Sequence, residues 1–347
     1  MNTNKNLAWF DWCAFVCIRG YYCVSVARDI EQEIEQLGAL VEAPAVEALP
    51  VLRKALADRV SLVVAKGAKI AAARRCGELI PDLLKAFDRL LENAAERDPQ
   101  CWGKIAIANA LRDLDYQESA PYLRGTRHIQ MEPVWGGQED TAQPLRGACL
   151  LALIACTDLD RAEILRCLVD AVSEKDAVVR GEAARALAGM GGDEAALLLR
   201  FKARIGDEEP QVIGQVFDGI LRLEGGAAVP FLASFLDAQR PEVRDEAALA
   251  LGSSRLTAAV AELKRALGKA RDAAFRETLL RALSISREPD ALELLLSLVK
   301  TARLGEAIDA VEALSIHRAT PEIRDAVAQA VEDRPAELRE QFRKLFA

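Results

Sequence analysis

The chain has 347 residues, 51% of them apolar and only 5% aromatic, with 28% charged and a net charge of −8. Ala and Leu dominate and β-branched residues never cluster in alternation, which excludes a sheet-based core and predicts an all-α protein with many small helix contacts. The acidic balance argues against nucleic acid as a partner, because it repels phosphate backbones, and no run of 18 or more uncharged apolar residues predicts a membrane span.

Residues 1–23 differ from the rest: residues 7–23 alone hold two Trp, two Phe, two Tyr and three Cys. Three readings stand side by side. A secretory leader needs an uninterrupted apolar centre, which Asp11 and Arg19 break, although Ser25-Val26-Ala27 could serve as a cleavage site. The segment could instead pack or lie on a membrane surface, or the true start could fall near Val24. No function is assigned to it.

From Arg28 the chain becomes regular. Ile30, Ile34 and Leu37 share one helical face, with Gly38 as the stop. A second stripe runs through Val46, Leu49, Leu52 and Leu56, where Pro50 predicts a kink or a restart. Residues 62–73 and 81–95 are expected to form a further helix pair, Pro81 suiting a first turn. Residues 24–97 thus read as divergent units.

The regular array, 98–347, is phased by the last large apolar residue of each second helix: Leu111, Leu153, Leu187, Ile220, Leu251, Leu283 and Leu314. After Leu153 the steps are 34, 33, 31, 32 and 31 residues. That is one helical hairpin per unit, too small to bury its apolar face alone. Positions eight and four before each anchor complete a buried stripe, as in Val179, Ala183 and Leu187, or Phe275, Leu279 and Leu283. The charged last stretch, with Phe342, Leu345 and Phe346, is expected to cover the final hairpin.

An acidic residue before the second helix and an Arg near its start recur as Asp140 with Arg146, Asp176 with Arg180 and Asp272 with Arg276. Arg244 fits, but Arg240 takes the acidic place, and in the Ile220 copy Glu209 is present while Ile213 replaces the Arg. On these residues the array resembles HEAT repeats of the short kind found in phycobilisome lyases. The resemblance implies a bacterial α-solenoid, a superhelix of antiparallel helix pairs. It also implies a charged ladder between units, in which Arg146, Arg180, Arg244 and Arg276 are structural.

The step from Leu111 to Leu153 is 42 residues, and the excess falls in residues 123–143. This long loop holds Arg124, Arg127, His128, Met131 and Trp135. Two readings are open. Arg124, Arg127 and His128 beside Trp135 could grip an anion, a planar ligand or a partner. Alternatively Trp135 and Met131 fold back and seal the hairpin.

Second helices of such arrays line the concave side. At its exposed positions the acidic residues are Glu182, Asp218, Asp245, Glu246, Glu277, Asp309 and Glu312, against Arg185 and Arg281. That predicts a negative inner face suited to a protein partner with a basic surface, bound in a salt-dependent way. His317 reads as a turn histidine at a helix end. Eight cysteines without short paired spacings read as buried thiols in a reducing, cytoplasmic compartment. No phosphate-loop, dinucleotide, zinc-protease or hydrolase motif occurs, so neither a cofactor nor catalysis is expected. The function expected is a non-enzymatic interaction scaffold. The alternative, carried by the resemblance alone, is a phycobilin lyase-like or other small-ligand-binding protein.

Overall fold

The computed structural model describes residues 29–347, so every reading of residues 1–23 lies outside the described residues. The N-terminal part contains α1 (Ile30–Gly38), α2 (Ala45–Leu56), α3 (Ser61–Ala73), α4 (Ile80–Leu91), the single turn α5 (Ala94–Arg97), α6 (Trp102–Asp113) and α7 (Ala120–Thr126). A two-stranded ribbon follows, β1 (Met131–Val134) and β2 (Gly137–Asp140), and then α8 (Gln143–Leu153) and α9 (Arg161–Val172). Beyond them run α10 (Ala177–Met190), α11 (Asp193–Ile205), α12 (Pro210–Glu224), α13 (Val229–Ala233), α14 (Pro241–Ser253) and α15 (Thr257–Lys269). The array closes with α16 (Ala273–Ser286), α17 (Pro289–Thr301), α18 (Leu304–Leu314), α19 (Pro321–Val331) and α20 (Ala336–Phe346).

The helices file past one another in two rows. One row, α3, α6, α8, α10, α12, α14, α16 and α18, packs helix on helix along its whole length, while the opposite row, which includes α9, α11, α13, α15 and α17, is looser. Closer spacing in one row curves the stack toward it, so the first row is the concave one. Small residues permit that spacing. A Cβ at Gly252 would collide with the backbone carbonyl of Ala282 in the next inner helix.

The anchor stripe is the core. Leu153, Leu187, Ile220, Leu251, Leu283 and Leu314 are all fully buried, as are Ala183, Val216, Ala247, Leu279 and Ala310 four residues earlier. Apolar side chains gather in two clusters that meet at α8: Leu145, Cys149 and Leu153 belong to the first, and Leu150 faces the second. Phe346 is buried at the far end, and Phe342 stacks on it with ring centroids 4.9 Å apart.

Three expectations change in the N-terminal part. α2 does not restart at Pro50, and its buried face is Ala48, Leu52, Ala55 and Leu56, with Val46 left exposed. α3 packs with α2, and α4 with α6, so α3 and α4 are not a pair. The 123–143 segment is not an irregular loop: it contains the end of α7 and the β-ribbon, the exception to an otherwise all-α chain among the described residues.

Candidate functional site

The ladder along one edge of the array holds the inner row in place. Arg180, Arg244 and Arg276 each reach the acid of the following unit, while Arg146 holds its own Asp140 most closely. Arg180 forms a two-pronged pair with Asp207 through Nε and Nη2, both at 2.7 Å, and also donates to the carbonyls of Glu174 and Lys175. Lys202 joins Asp207 at 2.8 Å. Burial alone would raise the Asp207 pKa, but hydrogen bonds from Arg180, Lys202 and the Glu209 N–H outweigh it and hold the carboxyl well below its usual range. Arg244 pairs with Asp272 at 3.2 Å, Arg276 with Glu306 at 3.3 Å, and Arg146 with Asp140 at 2.6 Å and Glu174 at 3.3 Å. Asp176 instead caps α10, accepting from the Val178 and Val179 N–H groups. Where Ile213 removes the cation, Arg240 supplies one from the next unit, donating to the carbonyls of Asp207 and Glu208.

On the inner face a second pattern interlocks neighbouring helices. Gly147, Gly181 and Gly214 occupy equivalent places, six residues before their anchors. A Cβ at each would strike Glu182, Gln215 and Glu246 respectively, which lie across them from the next helix. Farther along, acids take the earlier helix's place: Asp245 meets Thr278, which hydrogen-bonds it, and Glu277 lies near Asp309. The position six before the anchor is therefore a seam, and Gly181 and Gly214 are buried rather than exposed.

This places the acids predicted for the inner face. Glu182, Asp245, Glu246 and Asp309 are half-buried, while Asp218, Glu277 and Glu312 are exposed. Glu182 pairs with Arg185 at 2.8 Å, and Glu312 accepts from Gln341 at 2.7 Å. Asp218, Glu246, Glu277 and Asp309 have no ion-pair partner among the described residues. Burial raises the pKa of Glu246, and Asp218 and Asp245 raise it further; burial alone raises Asp218. Asp245 is also raised, by burial first, and Asp309 by burial with Glu277 and Glu312 adding to it. Solvent reaches Asp218 directly, but the concavity places protein around it, which weakens its hydration. The result is a run of carboxylates short of counter-charge.

The β-ribbon stands at the N-terminal ends of α6 and α8. Its base is tied down on both strands. Glu132 accepts from the Gln100 N–H at 2.7 Å and from Thr141 at 2.7 Å, and Asp140 from the Gln130 and Ala142 N–H groups and from Arg146. Its tip is the two-residue turn Trp135-Gly136, with Gly136 at φ +93°. Trp135 is fully exposed, so it does not fold back over the hairpin, and Met131 and Val134 are exposed as well.

Arg124, Arg127 and His128 line one shallow concavity of about 370 Å³ with Leu91 and Leu123, and Trp135 is not part of it. The group expected from sequence is thus split in two. Arg124 pairs with Asp88 at 2.6 Å, and His128 Nε2 lies 3.1 Å from Gln130 Oε1. Burial lowers the His128 pKa, with Lys104 and Arg146 adding to this, so the ring is neutral at pH 7 and attracts no anion by charge. Burial also pushes the Cys101 thiol up to about 12 and Cys156 up to about 11, which leaves neither as a nucleophile at neutral pH. No group of three metal-ligating side chains occurs among the described residues. His317 is buried, with Nε2 donating to the Ser284 carbonyl of the preceding unit at 2.9 Å.

A sequence model of HEAT repeats matches residues 229–315, and one of the PBS lyase HEAT-like repeat matches residues 179–201. Over these residues the repeats are of the HEAT type. Among solved structures the chain is similar to the Escherichia coli protein YibA, at 14% identity and a TM-score of 0.43, covering 83% of this chain and 98% of that one. It is also similar to the CpcE–CpcF complex of phycocyanin lyase from Nostoc, at 17% identity and TM-score 0.34, covering 74% and 92%. A third likeness is human deoxyhypusine hydroxylase, at 22% identity and TM-score 0.29, covering 74% and 96%. Scores this low carry no argument about what the chain does. No curated protein sequence matches it.

One rung of the ladder was missed in the sequence. Lys104 stands seven residues before Leu111, where later units carry Arg146, Arg180, Arg244 and Arg276. It pairs with Asp98 at 3.1 Å, both side chains fully buried, at the same six-residue spacing as Arg146 and Asp140. Asp98 also accepts from the Gly103 and Lys104 N–H groups, and its carbonyl accepts from Gln130 Nε2, which ties the ribbon to this rung. Widening the search from Arg to Lys at that phase would have found the pair.

Proposed function

We propose that the protein is a non-enzymatic interaction scaffold whose concave HEAT face receives a protein segment rich in Lys and Arg. The observation that carries this reading is the run Asp218, Glu246, Glu277 and Asp309, without ion-pair partners and in part desolvated. Bringing cations to such carboxylates relieves both repulsion and poor hydration, so binding is steered by charge and weakened by salt. Trp135 adds an apolar anchor on a rigid base, in the manner of an interface hot spot. The same acidic face disfavours nucleic acid. Four buried thiols, unpaired among the described residues, support a cytoplasmic setting, and no helix among the described residues is long and apolar enough to cross a membrane.

Affinity purification with mass spectrometry tests this. Wild type should retain a basic partner that an Asp218→Asn, Glu246→Gln variant loses. Trp135→Ala should weaken the same capture with an unchanged melting temperature, since its side chain buries nothing. Equal capture by wild type and the acidic-face variant would overturn the proposal.

The seam carries a pH signature. A carboxyl whose pKa is raised by folding binds more protons in the native state, so between its unfolded and folded pKa stability falls as pH rises. Asp218, Asp245, Glu246 and Asp309 all have that sign. The thermal midpoint should therefore rise as pH drops from 7 toward the ordinary carboxylate pKa of about 4, and Asp218→Asn, Glu246→Gln should raise it by about 1–2 °C at pH 7 while flattening the dependence. A midpoint that falls across that range, or a variant less stable than wild type at pH 7, would contradict the assignment.

A second reading, a small-ligand-binding HEAT protein of the phycobilin-lyase kind, draws on one observation, a basic apolar groove at the N-terminal end of the concave face.

A further inference from the structure

That groove lies between α1, α3 and α6 and encloses about 850 Å³. A second concavity of about 400 Å³ adjoins it, the two sharing Leu62 and Trp102 as a common wall. Both volumes fall in the range of roughly 300–1,000 Å³ usual for small-molecule sites. Leu62 and Trp102 are exposed apolar side chains at the same ends of two adjacent inner helices. One end of the groove is apolar, with Leu62, Trp102 and Ile105, and it opens into the second concavity beside Val60 and Pro99, whose rim also carries Arg59, Glu96 and Arg97.

The other end is cationic. Lys66 and Lys69 stand three residues apart on one face of α3, and neither has an ion-pair or hydrogen-bond partner among the described residues. The remaining charges there are occupied: Asp113 pairs with Arg112 at 3.0 Å, and Arg75 with Asp115 at 3.6 Å. Within the larger groove the lysines and the apolar wall are thus separated, in contrast to the acidic seam farther along the same face.

We propose that this groove binds an amphiphile with one anionic head and an unbranched apolar tail, in the simplest case an acyl-chain carboxylate. This rests on the second reading and narrows it. The head sits between the Lys66 and Lys69 ammonium groups, and the tail runs past Ile105, between Leu62 and Trp102, into the adjoining concavity. A linear chain fits two small concavities joined end to end, and its single charge meets the free Lys66 and Lys69 ammonium groups. Each methylene buried there strengthens binding about three- to four-fold.

The test uses cis-parinaric acid as a fluorescent acyl carboxylate, titrated into the purified protein below its micellar concentration and then displaced by competitors. Octanoate, decanoate and dodecanoate should displace it with rising affinity, dodecylammonium at least ten-fold less well than dodecanoate. Lys66→Gln, Lys69→Gln should weaken dodecanoate at least ten-fold with an unchanged thermal midpoint, and Trp102→Ala should flatten the chain-length series. Equal competition by dodecylammonium, or full affinity in the double Lys variant, would overturn the proposal. Displacement by biliverdin but not by dodecanoate would overturn the acyl assignment and leave the ligand-binding reading standing. No saturable binding of any probe would overturn both.

Discussion

Lys104→Met should cost about 3–5 kcal/mol, the penalty for leaving one member of a buried ion pair without its partner. Both side chains are fully buried, so without the ammonium the Asp98 carboxylate faces no solvent that could screen it. The carboxylate would keep its hydrogen bonds from the Gly103 and Lys104 N–H groups, and the Leu90 carbonyl would lose the ammonium it accepts from at 3.2 Å. Asp98→Asn in the same background should restore part of the loss, so the double-mutant cycle should show coupling of about 1–3 kcal/mol. Urea unfolding monitored by circular dichroism measures it. A loss under about 1 kcal/mol for the single change would mean that the pair does not hold α6 to the turn before it.

Asp207→Ala should be as damaging, and its effect should be local. The carboxylate is nearly inaccessible and holds two cations, Arg180 and Lys202, that are themselves largely buried. Removing it leaves two positive charges facing each other at the junction between α10 and α12, at a cost of about 3–5 kcal/mol. In a repeat array stability is a sum of unit and interface terms, so weakening one junction should split unfolding into two transitions. The pH dependence has the opposite sign to that of the seam. Asp207 is held ionised in the folded state, so its contribution is complete above the ordinary aspartate pKa of about 3.9 and is lost as pH falls below that. Wild type should therefore lose stability steeply below about pH 4, and Asp207→Ala should lose less there because it has less to lose. A single sharp transition at neutral pH, with stability near wild type, would contradict the ladder's role.

The solenoid was legible because every unit repeats the same three buried positions, and a stripe such as Val212, Val216 and Ile220 is fixed by period alone. The ladder was legible as a residue pattern, but its partners were not: Arg180 reaches Asp207, 27 residues on, and no local rule distinguishes that from the nearer Asp176. The β-ribbon left almost no trace. Its strands are four residues each, one carries Pro133, and its turn is Trp-Gly rather than a common hairpin pair, so nothing in 123–143 alternates long enough to read as a strand. The groove at Lys66 and Lys69 was invisible because it is assembled from three helices, and α3 was paired with the wrong neighbour. The acids of the inner face were found by phase, but the glycines that let Glu182 and Glu246 lie across the preceding helix show up only once the helices are side by side.

Under the proposed function, the unpaired carboxylates of the concave face bind cations. Fluorescence anisotropy of a labelled ten-residue oligoarginine, titrated with the protein at 50, 100 and 200 mM salt, tests it most directly. Affinity should fall as salt rises and should drop about ten-fold in an Asp218→Asn, Glu246→Gln, Asp309→Asn variant that remains folded. Binding that ignores salt, or that survives those three substitutions unchanged, would contradict it.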